Sequence, residues 1–154
     1  MIRPAKSGEG HIIWEIHSES IKGLCAGDYS EEQIAVWTDD TAESYERVIA
    51  KSPLCLVSET NGHIGGYVAL RGNKSIWQLY VRPSHAGTGI GKALLGEVEK
   101  FLVSLGETRA VAEASLTAVG FYGRCGYSLK SSTKVMFGGI AFDAIEVEKL
   151  LAAG

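Results

Sequence analysis

Apolar residues in the first third of the chain recur at helical intervals. They are Ile12, Ile13, Ile16, Ile21 and Leu24. Their spacing places them roughly on one face of a helix, so the pattern predicts an amphipathic helix that packs this face against a core. His11 and His17 are expected on the exposed surface of that helix.

Two further helices are predicted before the first proline-containing break. Ser30 followed by Gln33 predicts a capping box, in which the two side chains satisfy free backbone N–H groups, at the start of a short helix that continues to Trp37. Residues 41–51 predict another helix, which Thr41 or the Asp pair before it would open and Pro53 would stop. The first third of the chain is therefore predicted to be helical.

The middle of the chain consists of short runs rich in Val, Leu, Ile and aromatic residues. These runs cover residues 54–59, 64–70 and 75–81. Turn-forming residues separate them, with Asn61-Gly62 after the first run and Arg71-Gly72-Asn73 after the second. The pattern predicts three antiparallel strands joined by tight turns.

The rest of the chain alternates between helical and extended patterns. The predicted elements are an amphipathic helix ending at Gly106, a strand over 109–114, a short helix over 116–124, and a hairpin of 127–136 and 140–148 around Gly138-Gly139. The whole order predicts an α/β (α+β) fold in a single domain over residues 1–154. We expect a mixed, mostly antiparallel sheet of about six to seven strands with helices on both faces.

Composition and charge exclude several classes of protein. Of the 154 residues, 45% are apolar and 21% charged, which is typical of a globular domain. Lys plus Arg is 15 and Asp plus Glu is 18, so the net charge of −3 offers no basic surface for nucleic acid or an anionic membrane. The sequence shows no signal-peptide core and no apolar run near the ~20 residues of a membrane span. We therefore expect a cytoplasmic protein.

The cysteines indicate neither a disulfide framework nor a metal site. Cys25, Cys55 and Cys125 are an odd number, lie far apart and form no Cys-x-x-Cys pair. Free thiols are typical of a reducing compartment. No metal is expected.

Three glycines occupy every second position in the segment that joins a predicted strand to a predicted helix. Gly87, Gly89 and Gly91 would let a ligand approach the backbone, and the helix start supplies free N–H groups and the positive end of a dipole. Lys92 adds a positive charge. The pattern favours a phosphate or pyrophosphate site over a flexible connector.

Two common phosphate loops do not fit this segment. A Walker A loop requires Gly at position 86 and Ser or Thr at position 93, where the chain has Ala86 and Ala93. A dinucleotide fingerprint would place a glycine at Lys92. A kinase-like or nucleotide-switch function is therefore disfavoured.

Two longer segments carry a resemblance to a known family. Residues 78–83 and 86–95, with the sequences QLYVRP and AGTGIGKALL, resemble the pyrophosphate-binding motif of the GNAT-superfamily N-acetyltransferases. Residues 118–127, with the sequence AVGFYGRCGY, are similar to the second motif of that family. The predicted element order also resembles the family fold, in which the sheet splays at the strand before the loop.

The resemblance implies acetyl-CoA as the co-substrate and assigns residues to it. Leu79, Tyr80 and Val81 would pair with the pantetheine arm through their backbone. The pyrophosphate would bind the N–H groups of Gly87, Thr88, Gly89, Ile90, Gly91 and Lys92. Further contacts would come from Ser115, Ala118, Phe121 and Tyr122.

The implied reaction is acetyl transfer to an amine by direct attack. Tyr122 would protonate the leaving thiolate, and the backbone N–H of Val81 would polarise the acetyl carbonyl. The acceptor would be a small molecule, a peptide N-terminus or a lysine. In this family Trp14, Tyr29 and Trp37 would lie where the acceptor binds, and the dimers formed by many relatives allow a homodimer here.

Three positions depart from the family pattern. Ala86 replaces the usual Gln or Arg, and Ser115 replaces an Asn that is frequent in the second motif. Gln78 occupies the place where many members carry a Glu base, and an amide cannot take a proton. The general base is therefore open, with Glu113, Glu59 and His63 as candidates.

Alternatives to direct attack by an active enzyme remain. Cys125 within the second motif would allow an acyl-cysteine intermediate, although no His or acid is recognisably paired with it. Gln78 and Ala86 would also fit a non-catalytic acyl-CoA-binding or regulatory module on the same fold. Tyr122 favours the enzyme.

Overall fold

The computed structural model describes residues 1–152 of the chain. The helices are α1 (Gly10–Leu24), α2 (Glu31–Trp37), α3 (Ala42–Lys51), α4 (Ile90–Ser104) and α5 (Val119–Arg124), with a 3-10 turn over Pro83–His85. The strands are β1 (Ile2–Pro4), β2 (Cys55–Thr60), β3 (His63–Leu70), β4 (Ile76–Val81), β5 (Arg109–Ser115), β6 (Ser128–Phe137) and β7 (Ile140–Leu150). Every predicted helix and strand is present, with bounds that differ by a few residues.

The two helix starts predicted from capping residues are confirmed. The Ser30 side chain accepts from the N–H of Gln33 (3.1 Å), and the Gln33 side chain accepts from the N–H of Ser30 (2.9 Å). Thr41 caps α3 by accepting from the N–H of Ser44 (3.4 Å). These bonds satisfy donors that a helix leaves free at its N-terminus.

The strands within residues 1–152 form one sheet of seven, in the order β1-β2-β3-β4-β5-β7-β6. Neighbouring strands run antiparallel except for the parallel pair β4 and β5. The short strand β1 was not predicted, because three residues are too few to show alternation. It pairs Arg3 with Val57, and the Arg3 guanidinium bridges Glu9 (2.7 Å) and Glu59 (3.0 Å).

Helices cover both faces of the sheet. On β2 and β3, Leu56 and Val68 belong to the cluster that packs against α4, whereas Val57 and Tyr67 belong to the cluster that packs against α1 and α3. Successive residues of a strand point to opposite faces, so this alternation places α4 on one side and α1 with α3 on the other. The predicted mixed, mostly antiparallel sheet between helices is confirmed.

The sheet opens between β4 and β5. Strand β4 pairs with β3 from Ile76 to Val81, but its pairing with β5 within the described residues is limited to Ile76 opposite Ala112. Beyond this pair the two strands diverge, which confirms the splay predicted for the strand before the loop. In residues 1–152 no helix has both the length and the apolar character that crossing a membrane requires.

Candidate active site

The glycine loop leads directly into α4 and presents its backbone. Gly87 and Gly89 have φ angles of 77° and 88°, a region that residues with a Cβ rarely adopt. The N–H of Ala93 donates to the carbonyl of Gly89 (3.0 Å). The N–H groups of the residues before Ala93 at the start of α4 have no partner in the helix, so the loop offers donors of the kind that bind anions at helix N-termini.

Other glycines let this loop lie close to its neighbours. A Cβ added at Gly66 on β3 would lie 2.9 Å from Cγ2 of Ile90, and one at Gly91 would lie 3.2 Å from Cε1 of Phe121. Both separations are shorter than ordinary van der Waals contact. The missing side chains therefore set how closely the start of α4 approaches β3 and α5.

A cavity of about 1060 Å³ fills the gap between β4 and β5. We call the part of its wall formed by residues 79–92 and 115–125 the loop side. Of the residues predicted to hold the co-substrate, Thr88 is not in the wall, and its hydroxyl donates to the carbonyl of His85 (2.5 Å). The predicted residues that do line the cavity are Leu79, Tyr80, Val81, Gly87, Gly89, Ile90, Gly91, Lys92, Ser115, Ala118, Phe121 and Tyr122.

The backbone N–H of Val81 points into this gap. The N–H of the next residue, Arg82, donates to the carbonyl of Gly65 on β3 (2.8 Å). Successive N–H groups along a strand point to opposite edges, so that of Val81 points away from β3 and towards β5. Because β5 has already diverged there, this donor is directed at the cavity.

Tyr122 lies in the cavity wall and is 5% exposed. Its ring packs edge-on against Phe121 (5.4 Å between centroids) and Tyr127 (5.2 Å). Burial raises the pKa of the Tyr122 phenol above its usual value, so the hydroxyl keeps its proton at neutral pH. The neighbouring Tyr127 hydroxyl is engaged, donating to Glu99 (2.9 Å).

The candidate bases are placed differently from one another. Glu113 lines the cavity and lies 3.7 Å from Arg71, with both side chains largely exposed. Glu59 and His63 are outside the cavity wall, and Glu59 is paired with Arg3. Gln78 does line the cavity, but its side-chain oxygen accepts from the Tyr67 hydroxyl (2.7 Å).

Cys125 and two cations complete the loop side. Lys92 and Arg124 line the cavity, where their charges favour an anionic ligand. Cys125 also lines it, but burial raises the pKa of its thiol. A thiol that holds its proton more firmly is a weaker nucleophile at neutral pH, so this site does not favour an acyl-cysteine intermediate.

Aromatic residues from distant parts of the chain form the opposite wall, which we call the aromatic side. Trp37 stacks on Phe137 (5.9 Å between centroids) and meets Tyr29 and Phe142 edge-on. The Tyr29 hydroxyl donates to the carbonyl of Asp143 (2.6 Å), which ties the start of the chain to β7. Tyr29 and Trp37 thus lie in the cavity wall, whereas Trp14, predicted with them, does not.

The prediction that His17 lies on the surface of its helix is wrong. His17 is 4% exposed and lines the cavity, with its ring 4.7 Å from that of Tyr80. It lies four residues after Ile13 and four before Ile21, so the helical period already placed it on the buried face. Its polarity concealed a position that the spacing alone would have found.

The chain is similar to known acetyltransferases both in sequence pattern and in fold. The model of the GNAT acetyltransferase domain matches residues 25–149. A GCN5-related N-acetyltransferase from Rhodopseudomonas palustris has a similar structure, with a TM-score of 0.93, 28% identity, and coverage of 98% of this chain and 95% of that one. No curated protein sequence matches the chain.

Two further solved structures share the fold. The PaiA N-acetyltransferase of Thermoplasma acidophilum, solved with coenzyme A, matches with a TM-score of 0.81, 26% identity, and coverage of 97% of this chain and 98% of that one. A ribosomal-protein-alanine N-acetyltransferase of Brucella melitensis matches in fold, with a TM-score of 0.73, 20% identity, and coverage of 98% and 99%. The chain belongs to the GNAT acetyltransferase family, which confirms the predicted class of enzyme, an acyltransferase that depends on acetyl-CoA.

Proposed function

We propose that the protein transfers an acetyl group from acetyl-CoA to a primary amine by direct attack, with Tyr122 protonating the CoA thiolate. The diphosphate of the co-substrate would bind the free N–H groups of the loop, close to Lys92 and Arg124. Its pantetheine arm would extend along β4 in the gap left by β5.

The position of Tyr122 carries this proposal. It is a buried phenol in the cavity wall, next to the loop, and it keeps its proton at neutral pH. A departing thiolate needs such a proton, because a CoA thiol is a better leaving group once its charge is neutralised. Tyr127, one ring away, cannot serve because its hydroxyl already donates to Glu99.

The N–H of Val81 would stabilise the other developing charge. As the amine attacks, the acetyl carbonyl oxygen becomes negative, and a fixed backbone donor directed at it lowers the barrier. Binding both substrates in one cavity would further raise the rate, because the two reacting groups are then held close together and need not meet by diffusion.

Two carboxylates in the cavity wall support an amine acceptor that reaches the cavity as a cation. Glu113 and Glu146 are directly opposite each other on β5 and β7, and both line the cavity. Two carboxylates in such a pair repel each other unless a cation lies nearby, and Arg71 approaches Glu113 alone. Small cationic amines and peptide N-termini are therefore the acceptors to test, and the Brucella relative named for alanine N-acetylation adds a peptide beginning with alanine.

The test is release of CoA thiol from acetyl-CoA in the presence of spermidine, phenethylamine or a peptide beginning with alanine. The wild type should turn over at least one of them. Tyr122→Phe should lower turnover by about 100-fold, the lower end of the range for lost acid catalysis, while calorimetry shows unchanged acetyl-CoA affinity.

Tyr127→Phe is the matched control, because it removes a buried tyrosine hydroxyl from the same aromatic cluster but not from the proposed chemistry. It should keep its turnover. Acetyl-CoA binding without turnover of any amine would instead favour a non-catalytic acyl-CoA-binding module.

A further inference from the structure

His17 is a buried imidazole that the acetyl-transfer steps above leave unused. It projects from α1 into a ring of aromatic residues, with centroid distances of 4.7 Å to Tyr80, 5.3 Å to Tyr45 and 6.5 Å to Trp37. Although 4% exposed, it forms part of the cavity wall. Tyr80 precedes Val81, so the imidazole lies near the strand that would hold the acetyl group.

The two ring nitrogens of His17 have different surroundings. Nδ1 faces the carboxylate of Asp40 at 3.7 Å and is enclosed without a hydrogen-bond partner. Oδ1 of Asp40 is likewise enclosed and unpartnered, while Oδ2 accepts from the Tyr45 hydroxyl (2.5 Å). The 3.7 Å separation joins Nδ1 to Oδ2, so the Asp40 carboxylate flanks this edge of the ring, and Nε2 lies on the opposite edge.

Burial keeps this imidazole neutral. It lowers the pKa of His17 from its ordinary value of 6.5 to about 3. A neutral imidazole carries one N–H and one bare nitrogen. A carboxylate can only accept, so the N–H belongs on Nδ1 beside Asp40, and Nε2 is the bare nitrogen.

We propose that His17, oriented by Asp40, accepts the proton of the acceptor amine through Nε2. This role rests on the proposed acetyl transfer and identifies its general base. An acceptor that arrives as an ammonium first loses one proton to solvent. The neutral amine nitrogen then bonds to the acetyl carbon, the bond from that carbon to sulfur breaks, and Tyr122 protonates the thiolate. The second proton lost by the nitrogen goes to His17 and returns through solvent to Tyr122, so the products are the amide, CoA thiol and the proton released first.

The base is needed as the nitrogen bonds to the acetyl carbon. The nitrogen is more acidic then than in a resting ammonium, so the base accepts its proton at that stage. The carboxylate of Asp40 stabilises the imidazolium that forms. The ionisable side chains packed against the His17 ring are Asp40, Tyr45 and Tyr80, and burial raises the pKa of both tyrosines.

Helix α1 is fixed so that His17 keeps this position. The Arg82 guanidinium at the end of β4 donates to Glu15 (2.7 Å) and Glu19 (2.8 Å) on α1, and to the carbonyl of Ile64 on β3 (2.9 Å). The same residue thus joins the strand that presents Val81 to the helix that presents His17.

The kinetic test measures single-turnover acetyl transfer to spermidine, phenethylamine and the alanine peptide. His17→Gln keeps a polar side chain but cannot take a proton, and it should slow the step by about 100-fold with unchanged acetyl-CoA affinity. Asp40→Asn should slow it by about 10-fold, because an orienting group is lost. His11→Gln, on the exposed face of the same helix, should match the wild type.

The pH dependence of the rate distinguishes a general base from a residue with a purely structural role. The rate ratio of wild type to His17→Gln should fall as pH rises from about 6 to 9, because hydroxide increasingly replaces the missing base. A His17→Gln rate close to that of the wild type overturns the proposal, as does a pH-independent ratio.

Nitrogen NMR of the wild-type imidazoles provides a second test that needs no acceptor. At about pH 7, His17 should be neutral with hydrogen on Nδ1 and a bare Nε2. A protonated His17, or hydrogen on Nε2, overturns the proposal even if acetyl transfer is observed. If none of the three amines is acetylated, the proposed function fails for these acceptors, and the NMR result still decides the state of His17.

Discussion

The loop side and the aromatic side of the cavity are built in different ways. The loop side comes from residues 79–92 and 115–125, and its distinctive feature is the set of backbone N–H groups that the glycine loop presents. The aromatic side joins α1 and α2 to β6 and β7 across most of the chain, and it presents side chains. Backbone sites require glycine at fixed spacings and are visible in a sequence, whereas side-chain sites depend on which distant elements pack together.

The largest expected effect is on stability, and it should follow from a substitution on the aromatic side that leaves co-substrate binding on the loop side unchanged. Trp37→Ala should lower the free energy of unfolding by about 3–5 kcal/mol, because it empties the centre of the aromatic side. The acetyl-CoA affinity of the folded protein should stay unchanged. Urea unfolding and calorimetry measure the two quantities.

Trp77→Ala is the control for this substitution. Trp77 is 37% exposed and its ring lies 5.6 Å from the Arg71 guanidinium, so its loss should cost about 1 kcal/mol or less. Equal losses for the two tryptophans would contradict the assignment of Trp37 to a buried cluster.

The buried imidazole of His17 predicts that the free energy of unfolding depends on pH. Folding lowers the pKa of His17 from 6.5 to about 3, so the unfolded chain binds a proton in that window and the folded protein does not. Stability is therefore complete above the unfolded pKa and falls with decreasing pH. Between about pH 7.5 and pH 5, His17 should cost about 2 kcal/mol.

Urea unfolding at a series of pH values should show this loss in the wild type and in His11→Gln. It should be absent in His17→Gln. A wild-type curve parallel to that of His17→Gln would mean that folding does not lower the pKa of His17.

The loop side is expected to respond to a single methyl group. Gly91→Ala places a Cβ 3.2 Å from Phe121, so either α5 or the start of α4 must shift. We expect acetyl-CoA affinity to fall by about 10-fold, or about 1.4 kcal/mol. Calorimetric titration with acetyl-CoA measures the change.

Gly96→Ala lies in the same helix with no atom within 4 Å of the new Cβ. It should leave the affinity unchanged and stabilise α4 by about 0.5–1 kcal/mol. If both alanines weakened binding equally, close packing at Gly91 would not be the cause.

The smallest expected effect concerns Arg82, whose guanidinium joins the end of β4 to helix α1. Arg82→Lys keeps the charge but loses the fork that reaches Glu15, Glu19 and the backbone together, which should cost about 1 kcal/mol. The acceptor KM should rise while acetyl-CoA affinity stays the same. Arg47→Lys, an exposed change on α3, should alter neither value.

The sequence predicted the fold where local signals were strong. The capping residues Ser30 and Thr41, the alternation in the middle strands and the glycines of the loop each act within a few residues. They predicted the helices, the sheet and the glycine loop. The resemblance to the GNAT family added the splay between β4 and β5 and the other residues predicted on the loop side.

The remaining features needed long-range information. Strand β1 was missed because it is recognisable only by its pairing with β2. The burial of His17 was missed because a polar residue on an apolar helical face can be read as its boundary. Its relation to Asp40 could not be predicted, since the loop between α2 and α3 shows no pattern that directs one side chain towards α1.

The divergence of β4 from β5 creates an edge in the interior of a sheet. Edge strands normally lie at the outside, where their free N–H and C=O groups can recruit another chain and cause aggregation. Here such groups face a slot between two strands, where an extended, amide-bearing molecule could pair with them as a neighbouring strand would. The opening that interrupts the sheet therefore leaves its unused hydrogen bonds inside the molecule rather than at its outer edge.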